Sequence, residues 1–146
     1  MKNIKIILLI IVILFFAGFG YFVLLKNKPF QGQLQPLIIL GPQVNDEGGV
    51  SIEVTPIDFS LSKPVQLKIT FNTHQGNLDF DLTKISYLLD DKNNKYIPVS
   101  WEGGSGGHHL SGVLVFPAIN KDAKTMKFVI ENVYNAEKRE FFWEIE

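Results

Sequence analysis

The sequence predicts an all-β domain, an immunoglobulin-like antiparallel β-sandwich of about seven to eight strands, preceded by one N-terminal transmembrane helix. Three observations predict it. Beyond residue 49, apolar residues recur at every second position over several short runs, the period of a half-buried strand. Clusters of Gly, Asn, Asp and Pro separate these runs and supply turn chemistry. Ahead of them lies one long uncharged apolar stretch, Ile6 to Leu25.

That stretch follows Lys2 and Lys5 and precedes Lys26 and Lys28. As a helix it would be about 30 Å long, the thickness of a bilayer's hydrocarbon core. A cleavable signal peptide has a shorter apolar centre and a small-residue cleavage site. Gly18-Phe19-Gly20 followed by Tyr21 is a poor match to such a site, so residues 1–28 read as an uncleaved signal-anchor. Residues 29–36, with Pro29, Gly32 and Pro36, read as a linker, and residues 37–146 as the folded domain. The domain carries all fifteen acidic residues against ten of the basic ones, a net of −5 at neutral pH. The flanking lysines nearly balance, so the positive-inside rule decides little, and a domain this acidic has little attraction for an anionic membrane surface. A single N-terminal anchor followed by a compact domain implies a single-pass protein of the cell membrane with its C-terminal domain extracytoplasmic.

Within the domain Leu37 to Leu40 is a weak first strand. Val50, Ile52 and Val54 alternate with Ser51, Glu53 and Thr55 until Pro56 stops the run. Val65, Leu67, Ile69 and Phe71 alternate with polar residues, and so do Leu78, Phe80 and Leu82 with Asp79 and Asp81. Ile85 to Leu89 and Tyr96 to Val99 flank Asp90-Asp91-Lys92-Asn93-Asn94 and read as a hairpin. Leu110 to Phe116, Met126 to Val133 and Phe141 to Ile145 complete the set, with no soluble helix. A closed small barrel is the alternative architecture.

Asn72-Thr73-His74, Leu78-Asp79-Phe80-Asp81-Leu82, Trp101-Glu102-Gly103-Gly104 and Gly106-Gly107-His108-His109 occur in order, followed by Ser111-Gly112-Val113-Leu114 and Phe116-Pro117. This spaced combination resembles a family of membrane-anchored or exported prokaryotic proteins, over roughly residues 50 to 146. The resemblance implies an extracytoplasmic β-rich domain and brings no activity with it.

Composition narrows the chemistry. With no cysteine, disulfides, thiolate metal sites and thiol catalysis are excluded. Arg139 is the single arginine and the lysines are unclustered, which leaves no nucleic-acid footprint. The histidines are His74, His108 and His109. Strand parity sends His74 and His109 outward and His108 inward, so His74 and His109 are the pair that could share a ligand. Imidazole with carboxylate suits zinc or copper(II), which makes these three histidines the candidate copper or zinc site, set against the reading that they hydrogen-bond to backbone and brace the loop, His108 above all. No other cofactor is implied.

Gly103 to Gly107 precedes a strand and lacks a Lys-Ser/Thr pair, so it reads as a turn and not a phosphate cradle. Asp79 and Asp81 on one strand face read as a solvated face more readily than as a calcium pair. Ser105 and Ser111 lie near His109 in sequence, but a Ser-His-acid triad is recognised by geometry that proximity in sequence does not supply, so a hydrolase is the remote reading and the chain is read as no enzyme. Trp101, Met126, Phe128, Phe141 and Trp143 fall on core parity. Val113, Val115 and Phe142 fall on outward parity and form the candidate surface for a protein partner. The leading expectation is therefore a binding or accessory module acting through protein contacts, with metal binding or delivery as the alternative.

Overall fold

The computed structural model describes residues 21–22, 40–57 and 59–145. The expected transmembrane helix, the linker and the strand at Leu37 to Leu40 lie outside them, apart from Tyr21 and Phe22, which are helical, and Leu40, which is not in a strand. Among the described residues no helix is long and apolar enough to cross a membrane. Residues 35–146 form one compact unit.

That unit is all-β, with nine strands among the described residues: β1 (Gln43–Glu47), β2 (Val50–Ile57), β3 (Pro64–Thr73), β4 (Ser86–Asp90), β5 (Lys95–Tyr96), β6 (Ser100–Gly103), β7 (His109–Ala118), β8 (Thr125–Val133) and β9 (Ala136–Glu144). One antiparallel sheet has the order β1-β2-β3-β7-β6 and the other β5-β4-β8-β9. Two separate sheets make a β-sandwich and not a closed barrel. The alternation in β2 and β3 becomes its inner layer: Ile52, Val54, Leu67, Ile69 and Phe71 are fully buried, and Ser51, Glu53, Lys68 and Thr70 point outward. Leu88, Met126, Phe128 and Phe141 face them from the second sheet. Phe128 packs edge-on to Phe116 at 5.9 Å and stacks on Phe141 at 5.9 Å, joining the two layers.

Several expectations are corrected. Pro56 does not stop β2 but pairs with Leu67 in its ladder; pairing to β1 ends at Val54, so the proline sits where β2 is an edge and one amide donor is dispensable. Leu78 to Leu82 is not a strand. Leu78 and Leu82 are buried, but the segment is a loop leading into one helical turn, α1 (Leu82–Ile85), where none was expected. Asp81 is its N-cap, accepting from the Thr83 amide at 3.0 Å and pairing with Lys84 at 3.0 Å, so Asp79 and Asp81 share no strand face. Ile97 and Val99 lie outside β5, and β9 begins at Ala136, which shortens the break before it to a turn at Tyr134–Asn135. β1 was not expected, because Asn45, Asp46 and Glu47 are poor strand formers. The Gly48–Gly49 turn, with φ of 58° and 85°, places it against β2.

The sandwich has two distinct ends. Its root gathers the start of β1, the β2–β3 connection, the Asp90–Asn94 turn, the segment after Ala118 and Ile145 beyond β9. Asp90 organises this end. Its carboxylate, 5% exposed, accepts from the amides of Lys92 and Asn94 at 2.9 Å, from Asn94 Nδ2 at 2.8 Å and from the Tyr96 hydroxyl at 2.9 Å. The same hydroxyl accepts from the Asn120 amide at 3.0 Å, which ties the hairpin to the segment after β7. Burial acts to raise the Asp90 pKa, but the hydrogen bonds from Asn94, Tyr96 and Lys92 together outweigh it and hold the carboxyl below its ordinary value of 3.8. A depressed folded-state pKa contributes stability that is present above the unfolded value and lost as pH falls through the folded one. Asp90→Asn keeps one acceptor oxygen but turns an NH2 group toward donors. It is expected to cost about 2 kcal/mol at neutral pH and to flatten the loss of stability below about pH 4; urea unfolding at pH 7 and pH 3 checks both.

Candidate functional site

The opposite end carries the Gly48–Gly49 turn, the loop from His74 to Asp81, the Gly104–His108 loop and the Tyr134–Asn135 turn. Cross-bonds hold these segments together. The Thr73 amide donates to His108 O, the Leu78 amide to Gly107 O and the Gly106 amide to Leu78 O, each at 2.9 Å. The Gly107 amide also donates to Asn77 Oδ1. Gly106 and Gly107, at φ of 77° and 83°, supply the left-handed backbone this interlock needs. Thr73 Oγ1 donates to Gly49 O at 2.8 Å, and the Tyr134 hydroxyl donates to Gln75 O at 2.7 Å. Tyr134 holds a φ of 52°, unusual for a bulky residue, while its ring occupies the space a side chain at position 76 would need. Four connections thus form one braced surface of Gly, Asn, Gln, Ser and His.

All three histidines belong to this end, and all three side chains are exposed. His109 opens β7 opposite Asn72 of β3, and its Nδ1 lies 2.7 Å from Asn72 Oδ1. With that oxygen as acceptor, Nδ1 carries the proton and Nε2 is the free lone-pair nitrogen of the neutral ring. His74 lies one residue past the end of β3, so strand parity does not reach it; its side chain is exposed in the loop that follows. His108 is corrected: β7 begins at His109, so strand parity does not reach it, and the ring is exposed while its carbonyl anchors the Thr73 amide. Among the described residues no three His, Asp or Glu side chains lie together closely enough to hold a metal ion. Ser111, the serine nearest His109, shares a hydrogen bond with Thr70 Oγ1 at 3.1 Å.

Trp101 is corrected from core to half-buried. Across from Leu114 on the inner side of β6, its ring lies over the paired glycines Gly103 and Gly112 at the mouth of the sandwich. Its Nε1 donates to Gly104 O at 2.9 Å, so the ring fixes the start of the glycine loop.

The proposed partner surface divides. Val113 and Val115 are half-buried on the outer face of β7, in line with His109 and Ser111 and opposite Lys68 and Gln66. Phe142, 45% exposed, is on β9 opposite Lys127, on the outer face of the other sheet. The three residues cannot form one patch, because parity places residues inside or outside without naming the sheet. Near Phe142, that second face is self-paired. Tyr87 donates to Glu131 at 2.9 Å, Lys95 lies 3.7 Å above the Tyr87 ring, and Glu140 bridges Lys127 and Lys138 at 3.4 and 2.5 Å, around a fully buried Val129.

Sequence reasoning also missed the role of Arg139. Only 1% exposed, it donates to Asn45 Oδ1 at 3.0 Å, to Val133 O at 2.8 Å and to Glu47 O at 2.8 Å. Gln43 clasps both backbone groups of Phe142, and Trp143 Nε1 donates to Gly41 O at 2.8 Å. These side chains stitch β1 of one sheet to β9 of the other. A single arginine in a β-rich domain was the available signal. Comparison of the chain with protein-family models, with curated proteins and with solved structures finds no match to any of them.

Proposed function

We propose that the chain is a membrane-anchored, extracytoplasmic binding or accessory module acting through protein contacts, built on an immunoglobulin-like sandwich. The observation that carries this reading is the braced loop end, which lies opposite the end where the chain enters β1. Loops rich in Gly, Ser and Asn make adaptable hydrogen bonds, and bracing them beforehand lowers the entropy lost on binding. The strip His109, Ser111, Val113 and Val115 continues from those loops down β7 and adds apolar area to polar contacts. A tether at the root leaves this end free to meet a partner.

Site-specific photo-crosslinking in membranes of cells that produce the full chain tests the reading. A photoreactive residue at Ser105 or Ser111 is expected to trap the same discrete protein adduct, and one at Phe142 is not. Identical patterns from all three positions, or none at Ser105 and Ser111, would sink it.

The gathering of His74, His108 and His109 at one end supports a second reading, copper or zinc binding or delivery. It requires the loops to move so that His74 and a second imidazole converge beside the free Nε2 of His109. Titration with zinc or copper(II) that leaves the imidazole NMR signals unmoved at stoichiometric metal removes it.

A further inference from the structure

We infer that the root of the domain rests against an anionic bilayer surface, with the Ile97-Pro98-Val99 knuckle as its apolar contact. The inference rests on the anchored reading proposed above. Large apolar side chains of the domain are exposed at four described positions, Val44 (59%), Ile97 (52%), Val99 (66%) and Phe142 (45%). All four lie in the root half. Val44 follows the first residue of β1, Phe142 precedes the end of β9, and Ile97 and Val99 lie between β5 and β6. The knuckle is held in place: Pro98 is buried between its exposed neighbours, and the Val99 amide donates to Val115 O at 2.8 Å. An exposed aliphatic pair on a fixed backbone suits the interface between lipid headgroups and acyl chains, because it loses little entropy on insertion.

Charge separates along the same axis. The root presents exposed Lys63, Lys92, Lys95 and Lys121, interspersed with Asp91, Asp122 and Glu144, whereas the loop end presents Asp46, Glu47, Asp79 and Glu137, with Lys138 engaged by Glu140. Lys84 there is engaged with Asp81. An anionic surface therefore repels the loop end and attracts the lysines of the root. The net negative charge of the domain orients it on the membrane and does not exclude contact. A tether at the root keeps the knuckle at high effective concentration near the bilayer, so a weak contact suffices.

The cysteine-free chain allows a direct test. Full-length V99C and S105C, each carrying an environment-sensitive fluorophore, are reconstituted into phosphatidylcholine/phosphatidylglycerol vesicles whose acyl chains carry a bromine quencher. Quenching at residue 99 is expected to exceed that at residue 105 by about two-fold or more. In a V99C background, K92E/K121E is expected to reduce it in the mixed vesicles but not in pure phosphatidylcholine. Equal quenching at both sites, with the protein floating with the vesicles, overturns the inference and leaves the anchor intact. The root would then face a protein partner or solvent. Failure to float overturns the anchored reading and the inference with it.

Discussion

Arg139→Ala is expected to destabilise the domain by about 3–4 kcal/mol, a large share of the roughly 5–15 kcal/mol that holds a domain of this size together. The side chain is 1% exposed and gives its guanidinium protons to three oxygens on two elements, Asn45 and Glu47 of β1 and Val133 of β8. Truncation leaves the carbonyls of Glu47 and Val133 without their charged donor and opens a cavity between the sheet edges. Burial pushes the guanidinium pKa below its ordinary value while nearby Glu47 acts to raise it, and an arginine so placed stays charged throughout the neutral range. Arg139→Lys keeps the charge but loses the planar fork, and is expected to cost about 2 kcal/mol. Because Trp143 donates to Gly41 just ahead of β1, loosening β1 exposes its indole. Urea unfolding followed by tryptophan fluorescence therefore checks two outcomes together, a lower midpoint and a red-shifted native baseline. An unfolding free energy within about 1 kcal/mol of the parent would mean that β1 is held by its ladder to β2 alone.

The role of Arg139 follows from an edge problem. The outer edge of β9 would present unpaired backbone groups, and the clasp of Gln43 on both backbone groups of Phe142 substitutes for a neighbouring strand. β1 thus belongs by its ladder to one sheet and by its side chains to the other. At the far edge β5 and β6 are short, a second means of limiting exposed edge.

How far the sequence discloses this depends on what each feature rests on. β2, β3, β7 and β8 were legible because burial on one face forces a period of two, and their inward residues are the core. Leu78 and Leu82 carried the same period without a strand, since two buried leucines in a loop and a helical turn mimic alternation. β1 was invisible to hydrophobic pattern, because edge strands need little apolar area; Gly48–Gly49 was its only local mark. At the candidate site, parity oriented His109 but reached neither His74, one residue past the end of β3, nor His108, one residue before β7 begins. That four connections share an end depends on strand order, which sequence spacing does not encode. The pairing of Phe142 with Val113 and Val115 failed for the same reason.

Gly112→Ala is expected to lower stability by about 2–3 kcal/mol, more than most insertions of a single methyl group. A Cβ there would stand 2.6 Å from Gly103 Cα and 2.7 Å from Glu102 O, both backbone atoms of the neighbouring strand, and 2.7 Å from the Trp101 ring. No rotamer relieves the first two contacts, so β6 must shift away from β7. At Gly103 the nearest obstacle is the Trp101 ring, and the one backbone contact, Gly112 Cα at 3.0 Å, is looser than those at Gly112; the ring can swing outward, so Gly103→Ala is expected to cost about 1 kcal/mol. Both substitutions displace the indole and break its hydrogen bond to Gly104 O, the tie at the start of the glycine loop. The two variants therefore separate fold from site. Gly112→Ala should lower the unfolding midpoint and shift the resonances of His108 and His109, whereas Gly103→Ala should shift those resonances with little change in the midpoint. Equal midpoints would place the constraint on the ring and not on the strand backbone, and unmoved histidine signals would show that the loop end holds its shape without Trp101.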